Sequence, residues 1–275
     1  MSQPKLIDDE ADIALIQCYN RKFIDGSHIL HHNGVVDAYG HLSFRHPLNP
    51  DVFVMSRCIA PGTISSPLDL IEYWVSNAEP LDPNSAKGYA ERCIHSEIYK
   101  RHRDVNAAAH SHSEAVIPYT ISGVPLKACY HAAGFIGSKG APVYDIANHF
   151  EEGDGKDMLV RYEHLGSALA ALFDGGNSVV LMRGHGFTVV AENMECAVLR
   201  AVYTQKNATI LTAAITLRAA ANANERIPPE EAPKIRYLNE EEASAAAGMT
   251  RWSVQRPWLL WMREVEASKL YLNSA

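Results

Sequence analysis

His110 and His112 stand two residues apart in His110-Ser111-His112, and a third histidine, His185, lies between glycines in Arg183-Gly184-His185-Gly186. On an extended strand, side chains at i and i+2 leave the same face, so both rings of the pair can reach one cation. Gly184 and Gly186 let the backbone turn tightly and place nothing bulky beside the third ring. Three protein ligands with one position left open make a catalytic metal site rather than a structural one. A single histidine is more often a surface or hydrogen-bonded core residue, so the joint pattern carries the reading.

The elements that must position these residues follow from hydrophobic spacing. Ile13, Ile16, Tyr19 and Phe23 recur at three- and four-residue steps and predict an opening helix that fades near Gly26, followed by a turn at His31-His32-Asn33-Gly34. Residues 39–45 then lead to the strand-like Val52-Phe53-Val54-Met55. A helix is expected over residues 85–102, from the apolar positions Tyr89, Ile94 and Ile98 and the pairing of Glu97 with Arg101, and it carries Glu91. Residues 106–110 are small and apolar, and Ser113 is placed to cap a helix running towards Gly123, so His110 and His112 fall where a strand gives way to a helix.

Further along, residues 165–173 read as an amphipathic helix stopped by Asp174-Gly175-Gly176. Residues 178–182 form a β-branched apolar run suited to a central strand, and the strand pattern resumes over 187–190. Asn193 is set to cap a long helix extending towards Ala221. Pro228, Pro229 and Pro233 predict a loop over 223–237. Beyond it Trp252, Trp258, Trp261 and Tyr271 are too many large aromatics for a free tail, so this part packs on its own or a neighbouring subunit. The organisation expected is a catalytic domain over 1–222 and a loop with a helical tail over 223–275.

Composition excludes several classes of function. The 275 residues are 47% hydrophobic and 21% charged, ordinary globular usage. Acidic residues number 32 against 25 Lys and Arg, a net charge of -7, with no basic run to neutralise a row of phosphates, so nucleic acid is not an expected partner. The start of the chain has neither the basic segment nor the apolar stretch of a secretory signal, and the five cysteines are scattered, as in a reduced, cytoplasmic protein. The most apolar stretch, 208–221, is interrupted by Arg218 and reads as a helix in protein rather than in a membrane.

Taken together, Glu91-x-x-x-His95-x-x-x-Tyr99, His110-Ser111-His112 and Arg183-Gly184-His185-Gly186 resemble the class II aldolase/adducin family, over residues 15 to 210. Gly40-x-x-Ser43-x-Arg45 is similar to that family's glycine, serine and arginine signature near the substrate pocket, with His41 where an asparagine is usual. The resemblance implies an α/β fold, a three-layer α/β/α sandwich around a mainly antiparallel sheet, assembled as a homotetramer with sites between subunits. It also implies that His110, His112 and His185 bind one divalent ion per subunit, Mn2+ or Zn2+ first and Fe2+ or Co2+ next, and that Glu91 is the acid/base. A partly desolvated carboxylate beside an ion can indeed have its proton affinity tuned for transfer near neutral pH.

A divalent ion that binds a developing oxyanion suits aldol cleavage, epimerisation and decarboxylation alike. Sugar-phosphate aldolases of the family place small hydroxyl residues before the glutamate, whereas this chain has Tyr89 and Ala90. A phosphate dianion needs several donors, and these two do not supply the small hydroxyls, so the substrate expected is not a sugar phosphate. Residues 37–45, 56–61 and 131–135 resemble the family's aromatic-acid branch, typified by a hydroxymethylpyridine-dicarboxylate decarboxylase. The reading is a metal-dependent lyase that decarboxylates a hydroxylated aromatic or heteroaromatic acid. His41, Ser43, Arg57, Tyr89 and His131 are its candidate substrate-binding residues, and His95 is read as orienting a neighbour or filling the core rather than binding the ion. The alternatives are a retro-aldolase on an unphosphorylated substrate, an Fe(II) oxygenase of an aromatic acid, and a non-enzymatic interaction module like adducin.

Overall fold

The computed structural model describes residues 10–225 and 233–275. One seven-stranded sheet divides it. The strands are β1 (His41–Arg45), β2 (Val52–Ser56), β3 (Leu70–Trp74), β4 (Ala107–Ser111), β5 (Val143–Tyr144), β6 (Val179–Met182) and β7 (Gly186–Ala191), in the order β3-β2-β1-β4-β7-β6-β5. Every pairing is antiparallel except β5 with β6. The helices are α1 (Glu10–His32), α2 (Arg92–Arg101), α3 (Ile117–Ile121), α4 (Glu163–Ala171), α5 (Met194–Glu225), α6 (Glu240–Trp252) and α7 (Gln255–Glu266).

Side chains alternate across a strand, so each strand feeds two separate cores. Leu42, Phe44, Ala107, Ala109, Phe187 and Val189 meet apolar residues of α1, α5 and α7 on one face. Ala108, Val180, Met182 and Val190 meet Ile94 and Ile98 of α2 and Leu165 and Leu169 of α4 on the other. The result is the expected three-layer α/β/α arrangement. It follows that His41, Ser43 and His110, which alternate with Leu42 and Ala109, face the α2 side. The register sets His41 opposite His110, Ser43 opposite Ala108, and His110 opposite Thr188.

Several local expectations give way to tertiary packing. The opening helix does not fade at Gly26 but continues to His32. A Cβ at Gly26 would lie 3.0 Å from Leu42 and 3.3 Å from Val198, so the glycine permits close packing instead of ending the helix. The helix expected over 85–102 starts only at Arg92, with Glu91 as its N-cap. The segment before it is drawn into extended pairing, with Arg57 bridged to Gly88 and the Cys58 amide donating to the Lys87 carbonyl. Ser113 does not cap α3, which begins at Ile117 with Pro118 in its first turn; its hydroxyl donates to Gln205 instead. Asn193 does cap α5, its side chain accepting from the Cys196 amide at 2.8 Å.

Part of the loop expected over 223–237 is helical, since α5 runs to Glu225, and Pro228 and Pro229, like the first nine residues, lie outside the described residues. Trp258 and Trp261 of α7 are buried in the core shared with α1 and α5, and the Tyr271 ring packs among His28, His31 and His32, whereas Trp252 is 80% exposed. No helix among the described residues is long and apolar enough to cross a membrane.

Candidate metal centre

His110 is the penultimate residue of β4 and is fully buried; His112 follows the strand end with its ring on the same side. His185 belongs to the three-residue turn joining β6 to β7, closed by a hydrogen bond from its own amide to the Met182 carbonyl at 3.0 Å. Gly184 takes φ +63° in that turn, a conformation side chains resist. Gly186, also at positive φ (+157°), is needed for a second reason: a Cβ there would lie 2.0 Å from the Ser111 carbonyl oxygen, so only glycine lets β7 approach β4 where the histidines meet.

The three Nε2 atoms converge. His110 to His112 is 3.0 Å, His112 to His185 is 3.0 Å and His110 to His185 is 3.3 Å. Glu91 completes the group, with Oε2 at 3.7 Å from His185 and 3.9 Å from His110. Its Oε1 accepts from the Val160 amide at 3.0 Å, so the loop before α4 fixes the carboxylate while leaving one oxygen to face the rings.

Three ring nitrogens at these distances cannot all satisfy one another. Thr188 Oγ1 lies 3.2 Å from His110 Nδ1 and 3.3 Å from the Met182 sulfur; with its proton on the sulfur the hydroxyl accepts from Nδ1–H, the arrangement that leaves a lone pair on His110 Nε2. Asp37 lies 4.0 Å from His112 Nδ1, on the side where a carboxylate favours a proton. Burial, then the charges of His185 and its other histidine neighbours, holds His110 well below its ordinary pKa, and burial lowers His185 as well. Lone pairs, neutrality and spacing together fit a cation: nitrogens about 2.0–2.1 Å from zinc at near-tetrahedral angles are about 3.3 Å apart. Among the described residues this is the group of metal-capable side chains that meets, its ligand atoms all within 4.8 Å of one another.

His41 flanks the cluster. Its ring centroid is 5.0 Å from that of His110 and 4.8 Å from that of Tyr89, and its Nε2 is 3.9 Å from Glu91 Oε2. Burial, followed by the charge of His112, pushes its pKa down to about 3. Behind it His95 bonds His41 Nδ1 at 2.7 Å, Ser43 bonds His95 at 2.5 Å, and Tyr99 bonds Ser43 at 2.7 Å, all fully buried. Helical i, i+4 spacing sets His95 and Tyr99 on one face of α2, with Glu91 one turn earlier at its start.

The remaining candidates divide. The Tyr89 ring lines the site, but its hydroxyl is spent on the Ile59 carbonyl, and burial raises its pKa to about 12. Ser43 stands one layer behind His41. Arg57 is tied to Asp69 at 2.8 Å. His131 is exposed in a short helical turn over 131–136, with its ring against Tyr130 and no recorded contact to the cluster. Beside His112 a cavity of about 340 Å³ opens, lined by Asp37, Glu114, Gln205 and Thr209 among others. Sequence spacing missed Asp37, Thr188 and the Val160 amide: two lie on other elements and the third is a backbone group with no residue signature.

A helix-flanked, mainly antiparallel sheet brings three histidines and a glutamate together, and comparison with known proteins shows the class of enzyme to which this frame belongs. Residues 21–212 match the family described as class II aldolase and adducin N-terminal domain. The decarboxylase tropJ of Talaromyces stipitatus is 47% identical over 93% of this chain and 97% of its own. The 3,4-dihydroxyphthalate decarboxylase of Arthrobacter keyseri is 26% identical over 75% of this chain and 82% of its own. Among solved structures, an L-fuculose 1-phosphate aldolase from Glaciozyma antarctica superposes with TM-score 0.69 at 17% identity, covering 98% of this chain and 97% of its own. The chain belongs to the class II aldolase and adducin family. It is an enzyme of the lyase type.

Proposed function

We propose that this enzyme decarboxylates a hydroxylated aromatic or heteroaromatic acid with one divalent ion held by His110, His112 and His185. The observation that carries the reading is the convergence of the Nε2 atoms of three imidazoles with Glu91 alongside, in a chain 47% identical to a named decarboxylase over nearly its whole length. The hydroxyphthalate named for a second relative is an acid of the proposed class. Mn2+ and Zn2+ head the list of ions and Fe2+ and Co2+ follow, because imidazole accepts all of them and availability decides among them.

An ion held by His110, His112 and His185 would supply Lewis-acid stabilisation of charge that develops on the substrate's oxygens. Glu91, positioned by the Val160 amide, delivers a proton to the ring carbon that bears the departing carboxylate. As the carbon is protonated the ring hydroxyl gives its own proton to solvent and the ring becomes a ketone; the carbon–carbon bond then breaks, carbon dioxide leaves, and the bonding electrons restore the aromatic ring with its oxygen as an oxyanion, which takes a proton back from solvent. Solvent reprotonates Glu91. Tyr89, its hydroxyl already committed and no small hydroxyl beside it, forms an apolar wall suited to a ring rather than to a phosphate. His41 and Arg57 are assigned to the substrate's oxygens. Tyr89 shapes the same pocket, and Ser43, one layer behind, supports His41 through His95. His131, its ring against Tyr130 and in no contact with the cluster, is assigned to a site shared between subunits of the proposed homotetramer. The catalytic part over 1–222, the C-terminal part over 223–275 and a cytoplasmic setting belong to the same proposal.

The test is carbon dioxide release from hydroxyphthalates and hydroxypyridine dicarboxylates, with metal-loaded and chelator-treated enzyme side by side. Release that depends on the ion supports the proposal. No release from any such acid, with cleavage of an unphosphorylated hydroxy-ketone or uptake of oxygen instead, transfers the site to an aldolase or an oxygenase.

A further inference from the structure

His41 Nε2 is a buried polar atom with no hydrogen-bond partner, and it is aimed at the metal centre. Glu91 Oε2, at 3.9 Å, is too distant to serve. Such atoms are rare in folded interiors and call for a partner that arrives with a ligand.

Whether this atom offers a proton or a lone pair is decided at the far end of a buried chain. Tyr99, its pKa raised by burial, keeps its proton. Ser43 Oγ, 2.7 Å away, is the acceptor within hydrogen-bonding reach of that buried hydroxyl, so the tyrosine proton goes there. Ser43 must then place its own proton, and His95 Nδ1 at 2.5 Å is far nearer than the Ala108 carbonyl at 3.5 Å. With Nδ1 accepting, neutral His95 carries its proton on Nε2 and gives it to His41 Nδ1 at 2.7 Å. Neutral His41 is left with its proton on Nε2. Every hydrogen bond in the chain therefore points towards the site.

We infer that His41 presents an Nε2–H donor to an anionic oxygen of the substrate, and that His95, Ser43 and Tyr99 are positioning residues that lock this tautomer. The inference rests on the site binding a hydroxylated acid, whose carboxylate and ring oxygen are acceptors of this kind. A donor held in place before the substrate arrives needs no rearrangement as charge develops on the oxygen. The opposite tautomer would set a lone pair against both that oxygen and Glu91.

Neutron diffraction from deuterium-exchanged crystals of the full chain reads the tautomer without reference to activity. Deuterium is expected on Nε2 of His41 and of His95 and on neither Nδ1; deuterium on His41 Nδ1 overturns the inference. In kinetics, His41→Leu lowers kcat/KM on the order of 10²–10³-fold, the usual loss for an oxyanion donor, and His41→Gln, which keeps an N–H, loses less. Ser43→Ala, which breaks the chain, lowers kcat/KM by about 10–100-fold, and Ser43→Thr restores it. Equal kcat/KM for Ser43→Ala and the unaltered enzyme also overturns the inference. Elemental analysis of the same preparations separates two failures. Protein unable to take up metal defeats the proposed function, whereas metal-loaded protein with the wrong tautomer defeats this inference alone.

Discussion

The two glycines that flank His185 are predicted to respond differently to one added methyl group. In Gly186→Ala the new carbon would stand 2.0 Å from the Ser111 carbonyl oxygen, 2.9 Å from the Ser111 carbonyl carbon and 3.1 Å from the His112 Cα. Approaches under 3.0 Å are not sustained, so β4 and β7 must part by at least about 1 Å at the pair formed by Ser111 and Phe187. That is where His112 and His185 hold their Nε2 atoms 3.0 Å apart. Metal ligands tolerate displacements of about 0.2 Å, so the expected loss of metal affinity is tenfold or more, with about 1–3 kcal/mol of stability lost to overpacking. In Gly184→Ala the methyl meets nothing within 4 Å, and the cost is the φ of +63° alone, about 1–3 kcal/mol of backbone strain. Urea unfolding should therefore show destabilisation in both variants, larger in Gly186→Ala, where φ +157° adds strain to the clash, while isothermal titration with Mn2+ or Zn2+ shows weakened binding chiefly in Gly186→Ala. Unchanged affinity in Gly186→Ala would refute the argument that strand approach sets the ligand spacing.

Other outcomes follow from the same geometry. Glu91→Gln keeps an oxygen for the Val160 amide but removes the acid, so kcat should fall by about 10²–10⁴-fold with metal content unchanged; a fall of less than tenfold rules Glu91 out as proton donor. His28, His41 and His95 are held below their ordinary pKa by burial, His41 at about 3. The unfolded chain binds these protons below about pH 6.5 and the folded chain does not, so stability is complete above that pH and declines as pH falls towards the folded values. The slope is about 1.4 kcal/mol per pH unit for each such histidine, and urea midpoints of chelator-treated protein that stay level from pH 7.5 to 5.5 would contradict it. Trp261→Ala, which empties a buried site where α7 meets α5, should cost about 3–5 kcal/mol of unfolding free energy; a loss under 1 kcal/mol would show that α7 is only loosely attached.

Some of this protein was decided within single segments. The i, i+2 spacing of His110 and His112, the glycines around His185 and the four-residue steps from Glu91 through His95 to Tyr99 express the periods of strand and helix, which depend only on neighbouring residues. The alternation of helical and strand patterns is likewise legible in the sequence, whereas the layered arrangement is what the family resemblance implies. Other features required elements to meet. Gly26 has the local character of a helix end, yet the close contacts with Leu42 and Val198 carry α1 through it. Glu91 was expected inside a helix, yet pairing of residues 87–88 with 57–58 delays α2 and leaves the glutamate as its cap. The partners of the site histidines, Thr188 for His110 and His95 for His41, lie 78 and 54 residues away in the chain. Only strand register and helix packing bring them within hydrogen-bonding reach, because a hydrogen bond across such a separation leaves no local period to read.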